Sequence, residues 1–198
     1  MSHHIYRTEA IVLSARPYKE ANLLATFLTR EMGVVRAVVI SGRKESSRLR
    51  YGVQPLSQVE LSLVRGKLLW RVTGVHVVEQ WQTTLVRKSD REIMRRIGNL
   101  IEALVVEEDA SVTLYTTFIE GMRAIVLESD AGIRSLRELY MVRYILGELG
   151  YMEKETTALF NLSSVVSKEA IEAMMKEKAT LVGKINHAIG ASQLYRSH

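Results

Sequence analysis

The hydrophobic period of this chain changes once, near Trp81, and that change limits the available folds more than any other feature. Before it, β-branched and aromatic residues occur in short runs broken by glycine, which is the signature of strands. "IYRTEAIVLS", "ANLLATFLT" and "VVRAVVIS" are the first three runs. "REMG" turns the chain between the second and the third, where Gly33 can take the positive φ that such a turn often needs. "VELSLV" alternates, with Val59, Leu61 and Leu63 on one face and Glu60 and Ser62 on the other. "RGK" at 65–67 then makes a hairpin into "LLWRVTGVHVVEQW". Five strands in about 80 residues are too few for a roomy sandwich, and closing them into a small OB-like barrel removes the exposed edges.

After Trp81 the pattern is helical. Ser89 with Glu92 reads as a capping box, followed by a stripe of Ile93, Met94, Ile97, Leu100, Ile101, Leu104 and Val105 opposed by Arg91, Arg95 and Arg96. "SVTLYTTFIEGMRAIVLE" and "AGIRSLRELYMVRYILGELG" continue the pattern, with Gly150 placed as a C-terminal cap. "SKEAIEAMMKEKATLVGKINHAIGASQL" adds at least one more helix. The expected fold class is α+β. A five-stranded OB-like β-barrel over residues 1–81 is followed by an all-α helical domain over 82–198, with the boundary near 80–88 and no long linker.

Length and composition agree with one sizeable core: 198 residues, 47% of them hydrophobic. No run approaches the roughly 18 apolar residues of a membrane span, and "MSHHIYRTEA" lacks the apolar core of a signal peptide, so a soluble, cytoplasmic protein without membrane contact is expected. The absence of cysteine removes disulfides, thiol catalysis and cysteine-ligated zinc. The net charge of +5 is unevenly placed: residues 1–81 carry 12 basic and 6 acidic side chains, residues 82–198 carry 15 and 16. The basic character belongs to the first part.

Catalytic chemistry is not visible. The histidines, His3, His4, His76, His187 and His198, form no metal-binding or catalytic pair, and His76 reads as a half-buried strand residue. Ser41 to Lys44 fits S-x-x-K only by chance, since the partner motifs are missing. No P-loop or dinucleotide fingerprint is present. Glu107, Glu108 and Asp109 read as a solvated turn, and Met174 and Met175 as core. Neither an enzyme nor a cofactor is expected.

The informative stretch is "SGRKESSRLRYG" at 41–52, which holds Arg43, Lys44, Arg48 and Arg50 against Glu45 alone. A solvated loop accounts for charge, but not for arginine outnumbering lysine three to one. Guanidinium forks match phosphate oxygens and stack on bases, whereas solubility can be met by lysine or glutamate. The preceding strand adds Arg36, and the hairpin adds Arg65, Lys67 and Arg71. OB barrels hold single strands in such a basic groove with aromatic platforms, for which Tyr6, Tyr18, Tyr51 and Trp70 are candidates, although barrel aromatics often face the core and Trp70 is read as core before platform. The expected nucleic-acid site is therefore Arg36, Arg43, Lys44, Arg48, Arg50, Tyr51, Arg65, Lys67 and Arg71. Groove charge and stacking serve DNA and RNA alike, so an RNA-binding barrel fits these residues too, as does an adaptor whose basic loop answers an acidic peptide. Arg91, Arg95 and Arg96 read first as an ordinary solvated helix face, and otherwise as an extension of the path or a seat for an acidic tail.

A family resemblance follows from "EAIVL" at 9–13, Tyr18 and Glu20 before the second strand, "TREMG" at 29–33, G-x-x-x-x-S-R-L-R from Gly42 to Arg50, and "QPLS" at 54–57. In their order and spacing these resemble the amino-terminal domain of the RecO family of bacterial recombination mediators, and "LYMVRYILGELGY" resembles that family's central helix. The resemblance implies a DNA repair and recombination protein, cytoplasmic and nucleoid-associated. Such a protein binds single- and double-stranded DNA, anneals complementary strands, and works with a RecR-like partner and single-strand binding protein so that the RecA recombinase is loaded indirectly. Many relatives carry a four-cysteine zinc module after the central helix. Here "MEKETTALFNLSSVVSKEA" replaces it, so no zinc is expected and packing of Leu159, Phe160, Leu162, Val165 and Val166 must hold that region.

Overall fold

The computed structural model describes residues 4–85, 87–105, 111–154 and 168–196. The chain divides into two compact units, Met1–Tyr115 and Thr116–His198.

Five strands open the first unit: β1 (Ile5–Tyr18), β2 (Asn22–Thr29), β3 (Gly33–Val39), β4 (Ser57–Arg65) and β5 (Trp70–Gln80). They close into a barrel in the order β1-β2-β3-β5-β4. Closure needs one strand long enough to serve both sides, and β1 does so, pairing with β4 through Ile5–Ile11 and with β2 from Ala10 to Tyr18. A register shift between Val12 and Ser14 bends it at the handover. Alternation sends Val12, Ala25, Phe27, Val35, Ala37, Val39, Val59, Leu61, Leu63, Trp70 and Val72 into the core. Gly33 begins β3 at φ 68°, as the turn after "REM" requires, and Thr29 Oγ1 locks that turn by donating to the Gly33 carbonyl (2.8 Å) and accepting from Met32 N (3.0 Å).

The basic stretch at 41–52 is ordered by successive backbone and side-chain bonds. Asn22 Oδ1 accepts from Ser41 N (2.9 Å), Ala21 O from Arg43 N (3.0 Å), and Ser41 O from Lys44 N (3.0 Å). It then forms a helix that the strand-and-loop pattern hid, α1 (Arg48–Gly52). The cause is packing: Leu49 and Val53 turn inward onto the barrel core, and Gly52 lies so close to β5 that an added Cβ would stand 2.3 Å from Val75 Cγ1.

A single turn, α2 (Trp81–Thr84), follows the barrel and leads to α3 (Lys88–Leu104). Its N-cap is Arg87, not Ser89, and no side chain caps the backbone there, so the expected capping box does not form. The first turn is served instead by Asp90, 1% exposed and paired with Arg87 Nε at 2.7 Å, a carboxylate placed where the helix dipole favours it. The apolar stripe of α3 is buried as its spacing predicts, with Leu100 half-covered. The first unit therefore continues past the change of period at Trp81.

In the second unit, α4 (Val112–Leu127, entering it at Thr116) meets α5 (Ala131–Glu148) where Gly121 comes close to Met141; a Cβ there would lie 2.6 Å from the Met141 sulfur. Asp130 caps α5 by accepting from Ile133 N (2.9 Å). Gly150 ends the helix at φ 77°, with Tyr151 N donating to Leu146 O and Gly150 N to Gly147 O, a Schellman arrangement. One long helix, α6 (Lys168–Arg196), buries Met174, Leu181, Ile185 and Ala188 on one side. Met175 is 58% exposed, contrary to its reading as core, because it falls one position off that stripe. The acidic turn at 107–109 and the packing expected of Leu159 to Val166 lie outside the described residues.

Tyr115, in the first turn of α4 and still within the first unit, is buried beside Gln58 Nε2 (3.4 Å) and Glu9 Oε2 (3.5 Å). Burial, and after it the negative charge of Glu9, push its pKa up to about 12. An unfolded tyrosine loses its proton near pH 10 (about its ordinary pKa), so across the interval the folded state holds more protons. The contribution is complete below about pH 10 and is lost as pH rises through about 12. Denaturant titrations at about pH 9 and pH 11 should show the parent losing more stability than Tyr115→Phe. A second expectation concerns α1: Gly52→Ala should destabilise by about 1–3 kcal/mol through overpacking against Val75, read as a lower denaturation midpoint.

Candidate nucleic-acid interface

The barrel closes where β3 runs parallel to β5, and the register there is short: Ala37 opposite Trp70 and Val38 opposite Arg71. Two residues of pairing place the β4–β5 hairpin against the end of β3. Val38, Ile40, Val64, Arg65, Gly66, Lys67, Leu69, Trp70 and Arg71 enclose a cleft of about 500 Å³ with three cations and no carboxylate on its walls. The hairpin is held tightly. Gly66 N donates to Leu69 O (3.1 Å), and a Cβ at Gly66 would lie 2.3 Å from that same oxygen. Lys67 and Leu68 are thereby fixed at the tip, both exposed.

Trp70 lies in the core at 5% exposure, with Tyr6 edge-on at 5.0 Å and the Arg65 guanidinium 5.2 Å over its ring. It has no free face for a base and is not a stacking platform; alternation along β5 turned it inward. Tyr6 keeps 37% exposure, Tyr18 is half-buried with Lys19 Nζ 5.5 Å over its ring, and Tyr51 stands out at 64%.

The remaining cations divide by position. Arg43 reaches the β1–β2 turn, donating from Nη1 to Glu20 O at 2.8 Å, and Lys44 is exposed beside it. Lys19, exposed in that turn at φ 53°, belongs with them; its place one residue from the Tyr18 and Glu20 signature was the signal that could have found it. Arg48, Arg50 and Tyr51 sit on the outer side of α1, exposed, where Tyr51 O accepts from Gln80 Nε2 (3.3 Å). That helix rests on Val75 and Val77, four to six residues beyond Arg71, or about 13–20 Å along the strand. These cations form a second position on the barrel, apart from the hairpin cleft.

Arg36 is half-buried and opposite Thr26, whose hydroxyl donates to Glu102 Oε1 (2.9 Å), as does that of Ser14 (3.1 Å). Glu102 belongs to α3, which thus covers the outer face of β1 and β2. Arg36 stands at the margin of that cover, one pleat before Val38 of the cleft.

On α3, Arg91 is turned to structure, donating to Leu85 O at 2.6 Å, while Arg95 and Arg96 are exposed. His76 is exposed on β5, not half-buried as its strand position suggested. Among the described residues, no group of three or more His, Cys, Asp or Glu side chains could hold a metal ion, and no helix is long and apolar enough to cross a membrane.

Comparison with known proteins gives a family match over the barrel and similarities to single relatives that extend into the helical part. Residues 1–81 match the family model described as "Recombination protein O N terminal". The chain is similar to the DNA repair protein RecO of Heliobacterium modesticaldum, 47% identical over 77 residues, which is 39% of this chain and 28% of that protein. It is similar to the RecO of Nocardioides sp., 33% identical over 129 residues (64% of this chain, 53% of the relative), and to that of Pelotomaculum thermopropionicum, 31% identical over 156 residues (76% and 58%). The chain thus spans about half the length of most curated relatives it matches.

Gly66→Ala must displace the Leu69 carbonyl, so it should lower stability by about 1–3 kcal/mol and shift amide resonances of Arg65 to Arg71 while leaving those of α3 in place.

Proposed function

We propose that this chain, which belongs to the RecO family through its first 81 residues, acts in DNA repair and recombination by binding DNA without turnover. The observation that carries the reading is the hairpin cleft: Arg65, Lys67 and Arg71 gathered beside the end of β3 with no carboxylate among the lining residues. Cations presented by a rigid hairpin attract a polyanionic backbone and release its counterions on binding. Arg43, Lys44 and Lys19 at the β1–β2 turn extend the attraction along the barrel, and Arg48, Arg50 and Tyr51 on α1 supply a second contact for a longer or a second strand.

Two strands held near such a surface repel one another less, so complementary bases meet more often and annealing is promoted with no catalytic residue. Single- and double-stranded DNA are both ligands in this reading, since phosphate contact does not depend on sequence. A RecR-like partner, and single-strand binding protein on the DNA whose coat must yield to the RecA recombinase, complete the assignment. These partners rest on the resemblance of the barrel sequence; the relatives' description as DNA repair proteins supports the repair context alone.

The test is a fluorescence anisotropy titration of a labelled single strand at several salt concentrations. The four cations of residues 41–52 should together contribute about −3 to the slope of log affinity against log salt, at about −0.7 per contact. Replacing Arg43, Lys44, Arg48 and Arg50 together by alanine should weaken binding and flatten the slope while leaving the denaturation midpoint nearly unchanged, because all four side chains are exposed. An affinity independent of salt would overturn the reading.

A further inference from the structure

Three features of the hairpin are not needed by a surface that only neutralises phosphate. Leu68 stands at its tip, 96% exposed, with Lys67 immediately before it and Arg65 and Arg71 on the flanking strands. A single exposed leucine is ordinary on a protein surface. This one, however, is carried by a turn that the Gly66 N to Leu69 O bond closes, and it adjoins a cleft lined by Val38, Ile40, Val64 and Leu69 together with the hairpin's cations. Ile40, across that cleft, is itself 49% exposed. An apolar tip and an apolar trough therefore lie side by side within a ring of cations.

Trp70, the aromatic residue nearest this point, is buried and cannot stack on a base. Aliphatic side chains can do related work by entering a base step and partly unstacking its two rings, and an apolar surface beside the wedge can cover the base face so exposed. The parallel register brings both parts together: Arg71 opposite Val38 puts the cation beside the trough wall.

We propose that Leu68 is a wedge that unstacks one base step of a bound DNA single strand, and that the displaced base rests in the cleft formed by Val38, Ile40, Val64 and Leu69. The inference rests on the DNA-binding reading above and assigns the hairpin a specific task within it. Phosphates on either side of the opened step lie against Lys67 and Arg71, and the guanidinium of Arg65, stacked over Trp70, forms a flat wall behind. Unstacked bases are better able to pair with an incoming complement, which gives annealing a structural starting point.

The experiment uses the full chain and a labelled single strand carrying 2-aminopurine, whose fluorescence rises on unstacking. Binding of the parent should raise that fluorescence. Leu68→Ser, which alters a fully exposed side chain, should abolish the rise and weaken affinity about fivefold to tenfold while leaving the salt slope unchanged. Lys67→Ala should do the reverse, reducing the slope by about 0.7 and keeping the rise. If the parent binds and neither the rise nor the affinity responds to Leu68→Ser, the wedge is wrong and the DNA-binding reading stands. If the parent binds no single strand, that reading fails and the wedge goes with it.

Discussion

Two pairs of residues close this barrel. Ala37 with Trp70 and Val38 with Arg71 are the whole of the parallel contact between β3 and β5, whereas every other neighbouring pair of strands is antiparallel and longer. Parallel pairing cannot be made by a hairpin and needs a crossover. The connection from β3 to β5 runs from Ile40 to Leu69 by way of β4, and its first part, Ile40 to Leu56, carries the dense positive charge. Its inward residues, Leu49 and Val53, pack on the core, and its outward ones, Arg48, Arg50 and Tyr51, are left for other work. One segment thus both closes the fold and presents cations, and its residues divide between those tasks by the periodicity of a helix of five residues.

The same closure decides which face is available. The outer side of β1 and β2 is taken by α3, with Glu102 bonded to Ser14 and Thr26 and with Gly98 near Leu13. The cation-lined cleft lies instead on the β3–β5 side, at the hairpin, where no helix of the first unit is packed among the lining residues. Glu9 is engaged with Arg30 and Tyr115, Glu102 with two hydroxyls, and neither is among the residues lining the cleft. Charge separation of this kind is a property of the packing. It cannot be read from net charge, which only says that the first part of the chain is basic.

Much of the architecture was legible because alternation and helical spacing are local rules. Val59, Leu61 and Leu63 face the core as their pattern requires, Gly33 takes the positive φ that its turn demanded, and Gly150 caps its helix. The failures have local causes as well. Ser89 and Glu92 had the right types at the right spacing, but the helix begins two residues earlier and Asp90 takes up the first turn. The helix α1 is not visible in the sequence because five residues rich in arginine show no stripe; the packing of Leu49, Gly52 and Val53 on the barrel defines it. Among the candidate site residues, the types were legible and the grouping was not, so that Arg48 and Arg65 were read as one surface and belong to two positions.

By itself the sequence determined the two periods, the order of strands and helices, the concentration of arginine before Trp81 and the absence of cysteine, because each is a property of neighbours along the chain. Only the tertiary structure decided that Trp70 is core, that Glu102 covers the outer face of β2, and that Lys67, Arg71 and Ile40 meet around one cleft. The reason is that pairing across a closed sheet joins residues tens of positions apart. A sequence pattern says which way a side chain faces, but not what stands opposite it.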